Sequence, residues 1–444
     1  MKRFTIKTIG CKVNTYESNV IKEKLVDVGF EFIDVDEKEE YKNLDYYIVN
    51  TCSVTGVADK KSRQMLHLAK KYNENVKVIA IGCMVDALNN AGEPKLDNVD
   101  YCFSNENKND LVDFLLSFEK EREVKKNYLK RERVRSFIKI QDGCDEYCTY
   151  CLIPYLRGHI KSREEDDIIE EIKKHLMNGA KEIVLTGIHI SSYGLDRIEK
   201  KDANDNIRHL SYESKGAIEI AREKLLSLVN RVANLKIEVD GNLLEVDRIR
   251  LGSLEPRIID ETFVKTLLGS NDEISKKFCR NFALSLQSGS DKTLKRMNRH
   301  YTKNDFENAC NIIRKYMPIS TITTDVIVGF PGETEEDFEE SLNFVKKMRF
   351  YNPNIFPYSV RKGTKAAEFK DQLTKETKHH RAVKMIKECE VISKEIENEI
   401  SDMKRKVFGN GSDDILVEET IVENGIKYNV GYTKEYIKKK IEAN

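Results

Sequence analysis

Short strand-like runs that alternate with helical segments constrain the fold of this 444-residue chain more than any other feature. Three such runs, 4–9, 46–49 and 76–81, fall within the first 115 residues, and helical patterns separate them. The third run is apolar except for Lys77, as expected of a strand buried in a parallel sheet. The alternation predicts an α/β fold whose N-terminal domain, 1–115, is a doubly wound open sheet.

The central part of the chain repeats this alternation on a larger scale. Six strands are predicted there, at 137–141, 182–186, 248–252, 282–287, 322–328 and 355–359. Six consecutive βα units predict a parallel barrel, or part of one, within a domain of 130–366. In such barrels the chemistry lies at the carboxyl ends of the strands. The long charged segment 196–246 predicts an insertion with its own helix at 218–233.

Capping-box patterns predict where three helices begin. The pairs are Asn14 with Glu17, Ser162 with Glu165, and Thr334 with Asp337. A further helix is predicted at 55–72. Another, at 375–403, precedes short strands at 414–418 and 427–432, which predict a small β module over 371–441.

Charge and hydropathy exclude several classes of protein. Lys+Arg and Asp+Glu both number 75, so the chain is not a globally basic nucleic-acid binder, although local basic strips remain compatible with one. Its longest apolar stretches, such as 78–85, are far shorter than the roughly 18 residues that a membrane span needs. No charged segment leads into an apolar one at Met1. A cytoplasmic protein is expected, and its ten cysteines are not expected to form a disulfide framework.

Three cysteines in one loop after the first barrel strand give the strongest chemical signal. Cys144, Cys148 and Cys151 can bind three irons of a [4Fe–4S] cluster and leave the fourth iron open to another ligand. The alternative is a zinc site completed by His159, but the spacing does not resemble a paired zinc knuckle.

Three earlier cysteines follow the three strands of the N-terminal domain. Loops after parallel strands share one edge of the sheet, so Cys11, Cys52 and Cys83 are expected to converge there and to hold a second cluster with one open iron. The alternative is three unrelated thiols. The other four cysteines are predicted to be small buried hydrophobic residues: Cys102, Cys279, Cys310 and Cys389.

The segment CDEYCTYC, with Tyr150 before its third cysteine, resembles the signature of the radical S-adenosylmethionine (SAM) enzymes. The resemblance implies that SAM chelates the open iron and is cleaved reductively to methionine and a 5′-deoxyadenosyl radical. It also implies that residues at the strand ends contact SAM or line its site. The candidate SAM contacts are Tyr150, Thr186, Gly187, Ser253, Glu255, Gln287, Ser288, Gly329 and Tyr358. Gly332, Glu333 and Ser359 also follow strand ends, and any one of these residues is also compatible with an ordinary loop.

Other segments resemble one subfamily, the methylthiotransferases. They are GCKVNTYES, NTCSVT, IGCM, LSLQSGSDKTLKRMNRHYT and DVIVGFPGETEEDF, while ILVEE and GYTKEYI resemble the RNA-binding TRAM module. The resemblance implies that Cys11, Cys52 and Cys83 hold an auxiliary [4Fe–4S] cluster for sulfur delivery, in a pocket shaped by Asn14, Glu17 and Asn50. The implied reaction replaces a C–H bond by C–S–CH3, with one SAM as methyl donor and a second as radical source.

The resemblance leaves three substrates open: tRNA carrying N6-threonylcarbamoyladenosine, tRNA carrying isopentenyladenosine, and a ribosomal-protein aspartate. The segment LTGIHISSYG most resembles the first branch, which modifies position 37 in the anticodon stem-loop. Candidate RNA-binding strips are 60–63, 122–135, 296–300 and 438–440, although each is also compatible with a solvated face. The implied electron donor is a flavodoxin or a ferredoxin, and the sequence does not identify the sulfur donor. A non-catalytic iron–sulfur or RNA-binding protein is the competing class.

Overall fold

A computed structural model describes residues 1–35, 37–93, 96–118, 134–201, 207–268, 272–409 and 414–443. The chain forms two compact units. The first comprises 1–130, 150–159 and 359–367, and the second comprises 131–149, 160–358 and 368–444. The predicted division into three domains stays a prediction.

The first unit contains a five-stranded sheet in which all strands are parallel. Its strands, in chain order, are β1 (Arg3–Thr8), β2 (Glu31–Phe32), β3 (Tyr46–Thr51), β4 (Lys77–Gly82) and β5 (Tyr101–Phe103), and they are arranged 2-1-3-4-5. Helices α1 (Lys12–Asp27), α2 (Gly56–Tyr72), α3 (Cys83–Ala91) and α4 (Leu111–Leu116) connect or follow them. Apolar clusters cover both faces of the sheet, which confirms the predicted open parallel fold.

Six parallel strands of the second unit follow one another in chain order around a half-barrel. They are β6 (Arg135–Asp142), β8 (Glu182–Gly187), β13 (Arg248–Leu251), β14 (Asn281–Gln287), β15 (Thr321–Val328) and β16 (Asn354–Pro357). Two isolated parallel bridges, Ile249–Phe278 and Leu254–Leu284, link the segments around β13 and β14. The six predicted barrel strands are confirmed, each to within a few residues.

The remaining elements fill the connections between these strands. The helices are α5 (Ile153–Arg157), α6 (Glu165–Met177), α7 (Ala217–Ala233), α8 (Glu261–Leu268), α9 (Asp272–Lys277), α10 (Asp291–Arg296), α11 (Lys303–Tyr316) and α12 (Glu335–Met348). The short strands are β7 (Lys161–Ser162), β9 (Glu199–Lys201), β10 (Ile207–His209), β11 (Lys236–Val239) and β12 (Asn242–Glu245). Helix α7 confirms the helix predicted inside the insertion.

A long helix leads from the barrel to a small antiparallel sheet. Helix α13 (Lys375–Phe408) precedes β17 (Leu416–Glu423), β18 (Ile426–Tyr432) and β19 (Lys438–Glu442). The sequence predicted the first two strands but not the third, because KKKIE has little apolar alternation. The predicted β module is confirmed with one strand more than expected. None of the described helices is long and apolar enough to cross a membrane.

Two of the three predicted capping boxes are wrong. Only Thr334 and Asp337 cap a helix as expected. Helix α1 begins at Lys12, before Asn14 and Glu17, and both of these side chains are buried. Ser162 lies in β7, so α6 begins without a side-chain cap. In both failures a tertiary partner holds the polar side chain that the pattern assigned to capping.

Four cysteines were predicted to be buried small residues. The prediction is confirmed for Cys279, Cys310 and Cys389 and is wrong for Cys102, which is exposed on the edge strand β5. An edge strand of an open sheet has one side that no neighbouring strand covers, so apolar flanking residues do not guarantee burial.

Candidate active site

Three cysteines of the first unit lie at the carboxyl edge of its parallel sheet. Cys11 follows β1, Cys52 follows β3, and Cys83 begins α3 directly after β4. Because β1, β3 and β4 are parallel neighbours, their carboxyl ends share that edge. The thiols of Cys83 and Cys11 are close enough to Cys52 to act on it electrostatically. The structure thus brings these three predicted residues together.

Two glycines leave room at this edge that no other residue would leave. Gly10 has φ +107°, and a Cβ added there would lie 2.8 Å from Cys52 Sγ. Gly82 has φ +89°, and its Cβ would lie 2.8 Å from Asn50 Oδ1. Both the backbone conformation and the lack of space therefore require glycine beside the thiols.

Buried amides fix the backbone that carries the thiols. Asn14 Nδ2 donates hydrogen bonds to the carbonyl oxygens of Ile9 (2.8 Å) and Thr51 (2.9 Å), which precede two of the cysteine loops. Asn50 Nδ2 donates to Asn14 O (2.9 Å) and to Ser18 Oγ (3.0 Å). These bonds hold the loops after β1 and β3 in a fixed relation, as a site preorganised for a metal cluster requires.

Buried charges accompany the thiols. Glu17 accepts from Lys108 Nζ at 2.7 Å and from Arg157 Nη1 at 3.0 Å. Arg157 Nη2 donates to Asn14 Oδ1 at 2.8 Å. All four residues are more than nine-tenths buried, so the ion pairs are shielded from water.

The thiols themselves suit an iron–sulfur cluster. Burial raises the pKa of Cys52 to about 12, an effect that Cys83 and Cys11 increase and Arg157 opposes. Without metal such a thiol stays protonated at neutral pH, and a bound iron would displace its proton. Three thiolates are the donor set for three irons of a [4Fe–4S] cluster, so the residues fit that group.

The loop 143–152, after β6, carries the other set of predicted ligands, which are Cys144, Cys148 and Cys151. The segment after α10 holds this loop from one side. Thr149 N donates to Met297 O at 3.0 Å, and Asn298 Nδ2 donates to Glu146 O at 3.1 Å. These two bonds anchor the backbone of the loop to the segment after α10.

Hydrogen-bond donors point at two of these sulfurs. Arg299 Nη1 lies 3.0 Å from Cys148 Sγ, and the backbone N–H of Ile153 lies 3.4 Å from Cys151 Sγ. Donors to cysteine sulfur stabilise the thiolate and are one of the means by which proteins tune iron–sulfur clusters. The donors and the thiol set fit a cluster here as well.

A network of carboxylates and guanidinium groups lies past the end of β13. Glu255 is buried; it accepts from Tyr212 Oη at 3.1 Å and from Arg257 Nε at 2.6 Å. Arg257 also donates both terminal nitrogens to Glu213, at 2.6 and 3.0 Å. Ser191 Oγ accepts from Glu255 N at 2.9 Å, which ties the network to the loop after β8.

His189, in that same loop, has buried ring nitrogens, and neither has a hydrogen-bond partner among the described residues. Its ring meets Tyr212 edge to face, with centroids 4.9 Å apart. Burial lowers the pKa of His189 to about 3, and Arg299 and Arg257 act in the same direction. The imidazole is therefore neutral at physiological pH and can both donate and accept a hydrogen bond.

Comparisons with known proteins identify this arrangement. The model of the radical SAM superfamily matches residues 138–345, and that of the uncharacterized protein family UPF0004 matches 3–104. The threonylcarbamoyladenosine tRNA methylthiotransferase MtaB of Bacillus subtilis is 32% identical over 99% of this chain and 90% of its own length. The chain belongs to the radical SAM methylthiotransferases.

Two further comparisons concern a second relative and the fold. The tRNA-2-methylthio-N(6)-dimethylallyladenosine synthase of Natranaerobius thermophilus is 33% identical over 94% of this chain and 86% of its own length. The radical SAM methyltransferase TsrM of Kitasatospora setae has a TM-score of 0.51 at 13% identity, covers 80% of this chain and 73% of its own, and so supports the fold alone. The methylthiotransferase is an enzyme of sulfur insertion and methylation that uses SAM and a [4Fe–4S] cluster.

The predicted SAM contacts of the methylthiotransferase lie in different environments. Thr186 is buried at the end of β8, and a Cβ at Gly187 would lie 2.7 Å from a backbone oxygen of β6. Ser253 is exposed, whereas both oxygens of Glu255 are already engaged by Tyr212 and Arg257. Tyr150 is half-buried.

Residues after the later strands are engaged within the protein. Gln287 ends β14 with φ +68°, and Ser288 Oγ accepts from Ser290 N at 3.2 Å. A Cβ at Gly329 would lie 2.5 Å from Lys378 Cγ, so close packing against α13 requires this glycine. That same lysine lies over the ring of Tyr358, 4.9 Å from its centroid.

Three more predicted residues have partners of their own. A Cβ at Gly332 would meet Asp371, Glu333 forms a buried ion pair with Arg381 at 2.7 Å, and Ser359 Oγ accepts from Gly56 N at 2.9 Å.

Sequence reasoning missed several residues of the site. They are His189, Tyr212, Glu213, Arg257 and Arg299, with Arg157 and Lys108 beside the first set of thiols. A signal existed for His189, which lies inside the segment used to choose the substrate branch. Tyr212 and Glu213 lie in the insertion, where no motif points to the barrel.

The candidate RNA-binding strips differ in what their cations contact. Lys60 and Lys61 are exposed on α2. In contrast, Arg296 pairs with Asp371, and Arg299 donates to Cys148. Cations committed to such contacts are poor phosphate ligands, so the strip 296–300 is not a free basic surface. The strip 122–135 lies outside the described residues except for 134 and 135.

Proposed function

We propose that this methylthiotransferase converts N6-threonylcarbamoyladenosine at position 37 of tRNA to its 2-methylthio derivative. The relatives from Bacillus subtilis and Aquifex aeolicus that carry this activity in their names support the proposal, the former along nearly the whole chain. The segment LTGIHISSYG also favours this branch.

The choice of substrate rests on His189, whose two buried ring nitrogens have no hydrogen-bond partner among the described residues. A buried polar group without a partner costs roughly 1–3 kcal/mol, so its nitrogens favour a ligand that supplies hydrogen bonds. A threonylcarbamoyl group has carbonyl, hydroxyl and carboxylate groups that can do so, whereas an isopentenyl group has none. The neutral imidazole would donate one hydrogen bond to the substrate and accept another.

We also propose that Cys11, Cys52 and Cys83 hold a second [4Fe–4S] cluster, in addition to the one held by Cys144, Cys148 and Cys151. When bound, these groups and SAM supply electron transfer, sulfur and a methyl group. The chain's own part is to fix the thiolates through Asn14 and Asn50, to donate from Arg299 to Cys148, and to present His189 to the nucleoside.

The proposed partners follow from this substrate. The enzyme would bind the anticodon stem-loop in the cytoplasm. Its domains would be 1–115, 130–366 and the 371–441 module, which would serve as an RNA-binding domain. A flavodoxin or ferredoxin would supply electrons. Exposed lysines such as Lys60 and Lys61 are candidate phosphate contacts.

Isopentenyladenosine tRNA is a second candidate substrate, because the relative from Natranaerobius thermophilus is as similar in identity as the first. The test is anaerobic reconstitution with iron, sulfide, reductant and SAM, followed by incubation with each modified tRNA and nucleoside mass spectrometry. We expect 2-methylthio product from the threonylcarbamoyl tRNA alone. Product from the isopentenyl tRNA alone would overturn the substrate assignment.

Single cysteine variants separate the two sets of thiols. We expect Cys148→Ala to abolish 5′-deoxyadenosine formation, since it removes a ligand of the SAM-binding cluster. We expect Cys52→Ala to retain SAM cleavage and to form no methylthio product. Cys310→Ala, at a buried cysteine far along the chain, is the matched control and should keep both activities. Normal methylthio product from Cys52→Ala would contradict the role of the second cluster.

A further inference from the structure

Arg157 is the buried cation that acts on the thiols of the first unit. Its guanidinium contacts Glu17 twice, at 3.0 and 3.2 Å, and Asn14 once, at 2.8 Å. Only about 1% of its side chain is exposed. The Asn14 Oδ1 atom that accepts from Arg157 also lies 3.9 Å from Cys11 Sγ, and the guanidinium acts electrostatically on Cys11 and Cys52.

The partners of Arg157 fix its position, but they do not cancel its positive charge, because the Glu17 carboxylate that contacts it also pairs with a second cation. Glu17 is shared with Lys108, and Lys108 Nζ also donates to Asn105 Oδ1 at 2.8 Å. Asn105 Nδ2 in turn lies 3.5 Å from Cys83 Sγ and 2.8 Å from Asp86 Oδ2. Two cations and two carboxylates therefore belong to one connected hydrogen-bond network, which reaches Cys83 through Asn105.

This arrangement matters for a cluster with three thiolate ligands. An oxidised [4Fe–4S]2+ core together with its three thiolate ligands has a net negative charge. Reduction adds one more electron to this unit. Net charge and hydrogen bonds near the sulfurs set the reduction potential of such clusters. Because the Arg157 side chain is buried, water screens its charge less than that of a surface cation, and the charge acts on that added electron.

We propose that Arg157 is a positioning residue whose charge, held in place by Glu17 and Asn14, sets the reduction potential of the cluster bound by Cys11, Cys52 and Cys83. The inference rests on the proposed function, because it requires that cluster. Arg157 stabilises the reduced form, and Glu17 limits this effect while it anchors the guanidinium.

The test uses the full-length chain with Cys144, Cys148 and Cys151 replaced by alanine, so that only one cluster is present. Iron and sulfide are measured after anaerobic reconstitution, and the midpoint potential is then measured by redox titration followed by electron paramagnetic resonance. Arg157→Gln removes a positive charge, and Glu17→Gln removes a negative one. Arg63→Gln, at an exposed arginine of α2 in the same unit, is the matched control.

We expect the potential to fall in Arg157→Gln, to rise in Glu17→Gln, and to stay unchanged in Arg63→Gln and nearly unchanged in Arg157→Lys. A purely structural role would not move the two charge variants in opposite directions. Unchanged potentials in both, with full iron content, would overturn the inference. If Arg157→Gln holds no cluster, the midpoint potential of Glu17→Gln decides. A potential that does not rise in Glu17→Gln then overturns the inference. A parent protein without about four irons would instead overturn the proposed second cluster.

Discussion

At the scale of single residues, burial keeps a histidine of the site neutral over a pH range in which it would become protonated in water. The residue is His189, whose ring nitrogens are buried; its ring meets that of Tyr212 edge to face, and Arg299 and Arg257 also disfavour its protonation. The cost of protonating this ring in the folded protein should appear in stability as well as in catalysis.

The first prediction concerns the pH dependence of unfolding. Since the pKa of His189 is about 3 in the folded state and about 6.5 in an unfolded chain, stability is present above pH 6.5 and is lost as the pH falls toward 3. Between pH 7 and pH 5 the wild type should lose about 2 kcal/mol more than His189→Asn. Urea unfolding of the metal-free proteins measures this difference, and parallel pH profiles for the two proteins would contradict it.

At the scale of secondary-structure elements, close packing between elements explains why a glycine stands at a position that the sequence suggests for ligand binding. Gly329 follows β15 and has φ +71°, and its missing Cβ makes room for Lys378 of α13. Gly179 follows α6 with φ +86° and has no atom within 4 Å of an added Cβ. The two glycines thus share a backbone requirement but differ in packing.

Substitution of both glycines separates the two effects. We expect Gly179→Ala to cost about 1 kcal/mol of unfolding free energy, from its left-handed backbone alone. Gly329→Ala should cost a further 1–3 kcal/mol or so, because the methyl group overlaps the Lys378 stem. Denaturant unfolding of the two variants measures the difference. Equal costs would show that α13 moves away freely, and would contradict the packing argument.

At the scale of the whole molecule, a buried ion network joins the half-barrel to the C-terminal sheet within the second unit. Glu182 of β8 is fully buried and accepts from Arg135 at 2.7 Å and from Arg250 at 3.0 Å. Tyr436 lies 4.4 Å from the guanidinium of Arg250 and 5.2 Å from that of Arg135. The two arginines outweigh burial and lower the pKa of Glu182.

Removal of the Glu182 charge should therefore weaken the second unit. Glu182→Gln leaves two buried arginines without their shared anion, and breaking such a pair costs about 3–5 kcal/mol. Glu418→Gln is the control, because Glu418 contacts the same Arg135 but is one-third exposed, and it should cost less than about 1 kcal/mol. Urea unfolding monitored by circular dichroism tests this, and similar costs for both variants would contradict the role of the buried network.

The sequence by itself determined the six barrel strands, three of the five strands of the N-terminal sheet and the placement of both cysteine sets after strands. These features depend on local periodicity and on the rule that parallel strands present their carboxyl ends at one edge. Tertiary structure alone decided the partners of Glu17, the packing of Gly329 and the isolation of His189. Arg157 and Glu17 are 140 residues apart, and Glu182 and Arg250 are 68 apart. No local pattern encodes such pairs, because a buried charge is satisfied by whatever the fold places beside it.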